Sequence, residues 1–256
     1  MDDRLLHTAS RAIARAERIL IVTGAGLSAD SGLPTYRGLG GLYNGLTPEG
    51  LPIEAALSGS TLARDPALCW KYLAELGRAC RRAEPNAAHR AIADLQRRKP
   101  GCWVLTQNID GFHRRAGSPA DRLVEIHGEL EPLRCGRCGA PGGTWDEVLT
   151  RPLPPRCGAC GGVVRPPVVL FEERLPEAAL ETLEWEMREG FELAISIGTT
   201  ASFPYILQPI LMVARHGGMT VEIDPGRTEL SDRVDVKLEG RALDILPRLL
   251  GHTLSD

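Results

Sequence analysis

Four cysteines stand as two pairs, Cys135-x-x-Cys138 and Cys157-x-x-Cys160, with 18 residues between them. Thiolates at that spacing close a tetrahedron around Zn²⁺ from two tight turns. A closed Cys₄ set leaves no position for water, so the metal is expected to hold structure and not to catalyse. A second group is rich in glycine. Gly24-Ala25-Gly26-Leu27-Ser28-Ala29-Asp30 follows the apolar run Ile19 to Val22. Gly24-x-Gly26-x-x-Ala29 fits the looser dinucleotide fingerprint, in which the backbone approaches a ligand and a helix N-terminus faces a phosphate. The helix is predicted to start near Ser28. A plain strand-to-helix turn accounts for the same residues. The acidic residue that the fingerprint wants about 20 positions on is also missing, because Leu46-Thr47-Pro48-Glu49-Gly50 is not a strand.

Other polar residues follow other apolar runs. Gln107, Asn108, Asp110 and His113 come after Cys102 to Leu105. Two carboxamides and a carboxylate there can hold hydroxyls and an amide; for any one alone, a turn capping the next helix is the alternative. His113 is the weakest of the set, with a surface position as its alternative. His127-Gly128 follows Val124 to Ile126. An imidazole there suits a general base near neutral pH, or is structural. Gly198-Thr199-Thr200 follows Leu193 to Ile197, and Asp224 follows Thr220 to Ile223. Asp224 can accept from ribose hydroxyls, favouring NAD over a 2′-phosphorylated cofactor, or it closes a turn.

The elements that position these residues can be read from periodicity. Helical spacing marks 5–18, 67–82, 177–189, 205–215 and 241–250, and Pro85-Asn86 starts a further helix that runs to Arg98. Five short apolar runs alternate with these helices. The fold class expected is α/β, a doubly wound parallel sheet of Rossmann type, with polar residues at the strand ends where ligands bind. Two segments break the pattern. Residues 39–60 look like a loop with short helical pieces. Residues 131–162, rich in Gly, Pro and Cys, form an insertion that cannot bury a core of its own.

Composition excludes some classes. The chain has 256 residues, 43% hydrophobic and 25% charged, with net charge −3, so no strong pull toward nucleic acid or an acidic membrane is expected. No apolar run approaches the ~20 residues of a membrane span, and the first residues are too charged for a signal peptide. Seven cysteines, an odd number, point to a reducing cytoplasm with metal-bound or free thiols. Cys69, Cys80 and Cys102 are expected in the core. A nucleic-acid module built on the zinc knuckles is the competing class; it lacks a basic stripe with aromatics.

The motifs together resemble the sirtuins. Gly24 to Gly38, Thr106 to His113, His127-Gly128, the two CxxC pairs, Val168 to Glu173, Gly198-Thr199-Thr200 and Val221 to Asp224 follow in that family's order over nearly the whole chain. The resemblance implies NAD-dependent removal of acyl groups from protein lysines. NAD is consumed, giving nicotinamide, O-acyl-ADP-ribose and free lysine. It implies that Gly24, Ala25, Gly26, Ser28, Asp30, Thr35, Tyr36, Arg37, Gln107, Asn108, Asp110, His127, Gly198, Thr199 and Asp224 bind the cofactor. His127 is the implied base, aided by Asn108 and Asp110. It draws a proton from a ribose hydroxyl after the acyl oxygen has displaced nicotinamide. Residues 1–38, 86–130 and 163–256 would form the NAD-binding domain; 39–85 and 131–162 would form a small domain of helices plus a Cys₄ zinc ribbon. The implied partners are acylated lysine peptides or proteins, with no nucleic acid and no membrane. An NAD glycohydrolase or mono-ADP-ribosyltransferase would use the same residues. There are departures: the family commonly has Phe where Tyr36 stands and Asn where Asp224 stands, and Val169 to Glu173 lacks its usual Gly.

Val169, Leu170 and Phe171 are the expected substrate contacts, with Leu73 and Leu76. The sirtuin subclass that removes succinyl and malonyl groups has a Tyr-x-x-Arg pair for the acyl carboxylate. With Trp70 and Glu84-Pro85-Asn86 as anchors, that pair falls on Leu73 and Leu76. An apolar face there predicts uncharged acyl groups, acetyl or longer. The alternative is that both leucines face the core and another residue lines the pocket.

Overall fold

The computed structural model describes residues 2–33 and 45–251. Helix α1 (Asp3–Arg15) leads into strand β1 (Arg18–Thr23) and a short helix α2 (Ala25–Ala29). Three helices follow, α3 (Ile53–Ala56), α4 (Gly59–Arg64) and α5 (Pro66–Arg82), then α6 (Ala87–Arg98). The chain continues through β2 (Gly101–Thr106), α7 (Phe112–Arg115) and β3 (Leu123–Glu125). An excursion holds β4 (Arg134–Cys135), α8 (Trp145–Leu149) and β5 (Val164–Arg165). The remainder is α9 (Glu177–Glu189), β6 (Leu193–Ile197), α10 (Pro204–Arg215), β7 (Met219–Ile223), β8 (Val236–Leu238) and α11 (Ala242–Gly251).

Local chemistry sets several boundaries. Asp65 accepts from the Leu68 N–H and Pro66 opens α5, a residue with no N–H to leave unpaired. Asn86 and His89 form a reciprocal capping box at α6. The expected helix near Ser28 begins three residues earlier. Gly24 is its N-cap, and Ser28 sits in its last turn.

Six strands form one sheet in the order β3-β2-β1-β6-β7-β8, every neighbouring pair parallel. Ile19 and Ile21 of β1 enter the core on one face, with Val104, Ile195 and Val221. Leu20 and Val22 enter the core on the other, with Leu105, Val124 and Ala194. Both faces are covered, which is why the strands read as unbroken apolar runs. The chain reverses its direction of strand addition between β1 and β6. In doubly wound sheets the ligand crevice opens at that switch point, beyond the strands' C-terminal ends.

A separate cluster joins α3 and α5 to the excursion through Ile53, Trp70, Leu73, Leu133, Trp145 and Val164. The Trp70 and Trp145 rings lie 5.6 Å apart, and each indole N–H donates to a carbonyl, of Val164 and Leu130 respectively. A Cβ on Gly77 would come within 2.5 Å of the Trp145 ring, so α5 needs glycine in mid-helix at some cost in propensity. The short strands β4, β5 and β8 have too few residues to carry a periodic signal.

Candidate active site

Gly24 and Gly26 do close-approach work, but the partner is another loop. A Cβ on Gly24 would stand 2.7 Å from Thr199 Cβ, and one on Gly26 would stand 2.7 Å from Gly198 Cα. Gly198 has φ +59, and a Cβ there would meet the Leu27 nitrogen at 2.5 Å. The Gly26 N–H donates to Gly198 O at 2.9 Å. The loops after β1 and β6 are thus locked backbone to backbone at the switch point. The sequence alone assigns that approach to a ligand.

A cleft of about 910 Å³ opens there. Gly24, Ala25, Gly26, Asp30, Gln107, Asn108, His127, Gly198, Thr199 and Asp224 line it. Leu73, Leu76, Val169, Leu170 and Phe171 line it too. Ser28 and Asp110 do not; they border a recess of about 30 Å³ that shares Ala25, Leu76, Asn108 and Ile109 with the cleft. Thr35, Tyr36 and Arg37 lie outside the described residues.

Gln107 donates from its amide to Thr199 Oγ1 at 2.7 Å. Asn108 is buried, and its amide donates to Gly24 O at 3.0 Å and Ser28 Oγ at 3.2 Å. Ser28 Oγ in turn donates to Asp110 Oδ2 at 2.7 Å, while Asp110 Oδ1 accepts from the Phe112 N–H. Burial pushes the Asp110 carboxyl above its ordinary value, against the two donors that hold it down. Asp30 pairs with Arg241 at 3.2 Å. Asp224 Oδ1 accepts from the Gly226 N–H at 2.8 Å, so the carboxylate closes a turn while it lines the cleft.

His127 Nδ1 lies 3.0 Å from Gln107 O, and Nε2 lies 2.8 Å from the Tyr205 hydroxyl. A carbonyl only accepts, so Nδ1 carries the proton and Nε2 of the neutral ring presents a lone pair. Burial lowers the His127 pKa from its ordinary 6.5, partly offset by the Gln107 carbonyl. The His127 ring meets Phe203 and Tyr205 edge to face, and those two rings stack on each other. Tyr205 and Phe203 were not singled out in the sequence. Their one signal is position, at the start of α10 just after a loop of the Gly198 type.

His113 does not take the surface alternative. It is buried, with Nε2 3.0 Å from Thr23 Oγ1. Burial lowers its pKa to about 4. His89, also missed, lies edge to face with it at 5.4 Å and reaches Ser28 Oγ at 3.3 Å.

Residues 168–171 bind the two parts of the wall together. The Val169 N–H donates to His127 O at 2.8 Å, and the Phe171 N–H donates to Leu57 O at 3.0 Å. Away from the cleft, the sulfurs of Cys135, Cys138, Cys157 and Cys160 lie within 4.8 Å of one another, with contacts of 3.4 to 3.8 Å. Sulfurs 2.3 Å from a tetrahedral Zn²⁺ sit about 3.8 Å apart, so the set fits that ion. A Cβ on Gly162 would lie 2.9 Å from Cys135 Sγ, and only glycine leaves that room. Cys69, Cys80 and Cys102 are buried free thiols, as expected.

Among the described residues, no helix is long and apolar enough to cross a membrane. The family model described as Sir2 family matches residues 24–203. NAD-dependent protein deacylase 2 of Pseudomonas aeruginosa is 69% identical over 247 residues, 96% of each chain. A solved Sir2 homologue–NAD complex matches at TM-score 0.85 and 34% identity, over 99% of this chain and 94% of that one. A solved Sir2 variant with a deacetylated p53 peptide and 3′-O-acetyl-ADP-ribose matches at TM-score 0.87 and 26% identity, over 96% and 98%. With an NAD-dependent protein deacylase relative this similar and the family model covering the glycine loop through the β6 loop, the chain belongs to the Sir2 family.

Proposed function

We propose that this protein removes acyl groups from protein lysines at the expense of NAD, releasing nicotinamide, O-acyl-ADP-ribose and free lysine. The observation that carries this reading is His127. Its Nδ1 is tied to a carbonyl and its basic Nε2 faces the cleft at the switch point. The relatives support it: one is named a deacylase, and one structure holds a deacetylated peptide with an acetylated ADP-ribose.

Bound NAD supplies the ribose carbon that takes the acyl oxygen, and nicotinamide as the leaving group. The chain's own residues do the rest. Gly24, Ala25, Gly26, Asp30, Gly198 and Thr199 form the cofactor wall. Gln107 and Asn108 hold amide or hydroxyl groups, and Ser28 and Asp110 brace Asn108 from behind. Asp224 accepts from a ribose hydroxyl with the oxygen that its turn leaves over. His127 Nε2 takes a proton from a ribose hydroxyl, for which a base neutral at pH 7 is suited.

Leu73, Leu76, Val169, Leu170 and Phe171 form an apolar channel for the acyl-lysine and keep water from the reacting atoms. Leu73 and Leu76 belong to the apolar cluster of α3, α5 and the excursion, which supports uncharged acyl groups. The four cysteines hold Zn²⁺ as a cross-link. The core shared by α5 and the excursion supports reading 39–85 and 131–162 as one small domain beside an NAD-binding domain. The partners are acylated lysine peptides or proteins. Net charge −3 supports no nucleic-acid role, and the buried free thiols support a cytoplasmic setting. Nicotinamide release measured with and without acyl-lysine peptides tests the reading; release that ignores the peptide contradicts it.

A further inference from the structure

Tyr205 is the second residue of α10, half-buried on the cleft wall, with its hydroxyl 2.8 Å from His127 Nε2. The donor and acceptor are fixed. The Gln107 carbonyl requires a proton on Nδ1, so Nε2 of the neutral ring accepts and the phenol donates. Burial raises the Tyr205 pKa above its ordinary 10, which keeps that proton on the phenol at neutral pH. A hydroxyl therefore occupies the place that a substrate hydroxyl must take to lose its proton to His127. The ring is held independently of that bond, stacked on Phe203 with centroids 5.3 Å apart.

We propose that the Tyr205 hydroxyl is a positioning group for His127: it caps the Nε2 lone pair in the cofactor-free protein and yields that position to the ribose hydroxyl of the bound cofactor. This rests on the function proposed above. Through its own bond, Tyr205 aims Nε2 into the cleft and shields it from water until the cofactor is seated. No proton changes hands in the exchange; one hydroxyl replaces another at the same lone pair.

Besides burial and the Gln107 carbonyl, the Tyr205 bond is the local influence that reaches His127 Nε2. Glu125 and Glu129, the acids nearest in sequence, pair with Arg114. The strap from β5 faces the site with Val168 and Val169, and its Glu173 pairs with Arg165. Glu172 accepts from the Ser60 N–H. The β2 end contributes Gln107, and α10 contributes Phe203 and Tyr205.

A hydrogen bond donated to Nε2 stabilises the neutral ring alone. Its loss raises the His127 pKa by about half to one pH unit. Tyr205→Phe keeps the stack and removes the donor. NMR titration of His127 is expected to show that rise in the variant without ligand. With saturating ADP-ribose the two proteins are expected to agree, because the cofactor's hydroxyl has displaced Tyr205 in the wild type. The acid limb of kcat/KM, which reports the free enzyme, should move up in the variant while that of kcat stays. An unchanged His127 pKa in the free variant overturns the bond. A difference that persists with ADP-ribose overturns the displacement. Imidazole ¹⁵N shifts of the wild type supply a check that needs no variant: an Nε2–H tautomer contradicts the proposal. The titrations read His127 and ADP-ribose without turnover, so they stand apart from whether the chain deacylates lysine.

Discussion

His127 Nδ1 lies 3.0 Å from the carbonyl oxygen of Gln107, so the loop that carries the amide side chains also fixes the tautomer of the imidazole. One backbone oxygen decides which nitrogen faces the cleft. Replacing His127 with Ala is expected to lower deacylation by ~10²-fold or more, the range of a positioned acid–base group, with NAD affinity largely kept. Affinity is read by calorimetry and turnover by peptide analysis. Full residual deacylation contradicts the assignment.

The pH dependence has a definite sign. Burial holds the His127 pKa below 6.5, so the ring stays neutral and able to accept a proton through the neutral range. Protonation as pH falls removes the lone pair. The expected kcat/KM profile is flat near pH 7 and drops on the acid side, below the ordinary histidine value. A midpoint at or above 7 contradicts the burial argument.

The zinc site is expected to be structural. Four sulfurs within 4.8 Å of one another complete a tetrahedron without water, and the module shares its core with α5 through Trp70 and Trp145. Cys135→Ala should lose bound metal, lower the melting temperature and depress activity indirectly. Metal analysis is expected to give one zinc per chain. Metal-free protein with its fold and full activity intact contradicts this.

The proposed acyl pocket rests on two leucines that share one helix face. Leu73 is 1% exposed, within the core cluster, yet it lines the cleft with Leu76. A succinyl carboxylate there would lose its water among apolar side chains. Each further CH₂ of an alkyl chain adds roughly 0.8 kcal/mol where it is buried. The expected kcat/KM on one peptide is acetyl or butyryl well above succinyl. Succinyl equal to acetyl contradicts it, as does a Leu73→Tyr, Leu76→Arg double variant with no succinyl gain.

The strands and long helices of the sheet were legible because both sheet faces are buried, which leaves unbroken apolar runs. The Cys₄ set was legible because metal ligation imposes spacing. What escaped depends on contacts distant in sequence. Gly26 reads as a ligand's neighbour and lines the cleft, but its close approach to Gly198, 172 residues on, leaves no mark in the sequence. His113 sits between Phe112 and two arginines and reads as surface; α6 buries it by bringing His89 against its ring. Tyr205 carries no motif, and its meaning appears only once α10 starts opposite His127.

The most direct measurement is mass analysis of the products from NAD and an acetyl-lysine peptide. Deacetylated peptide, nicotinamide and O-acetyl-ADP-ribose are predicted to appear in equal amounts. Free ADP-ribose with the peptide still acetylated, or NAD left unconsumed, would contradict the account.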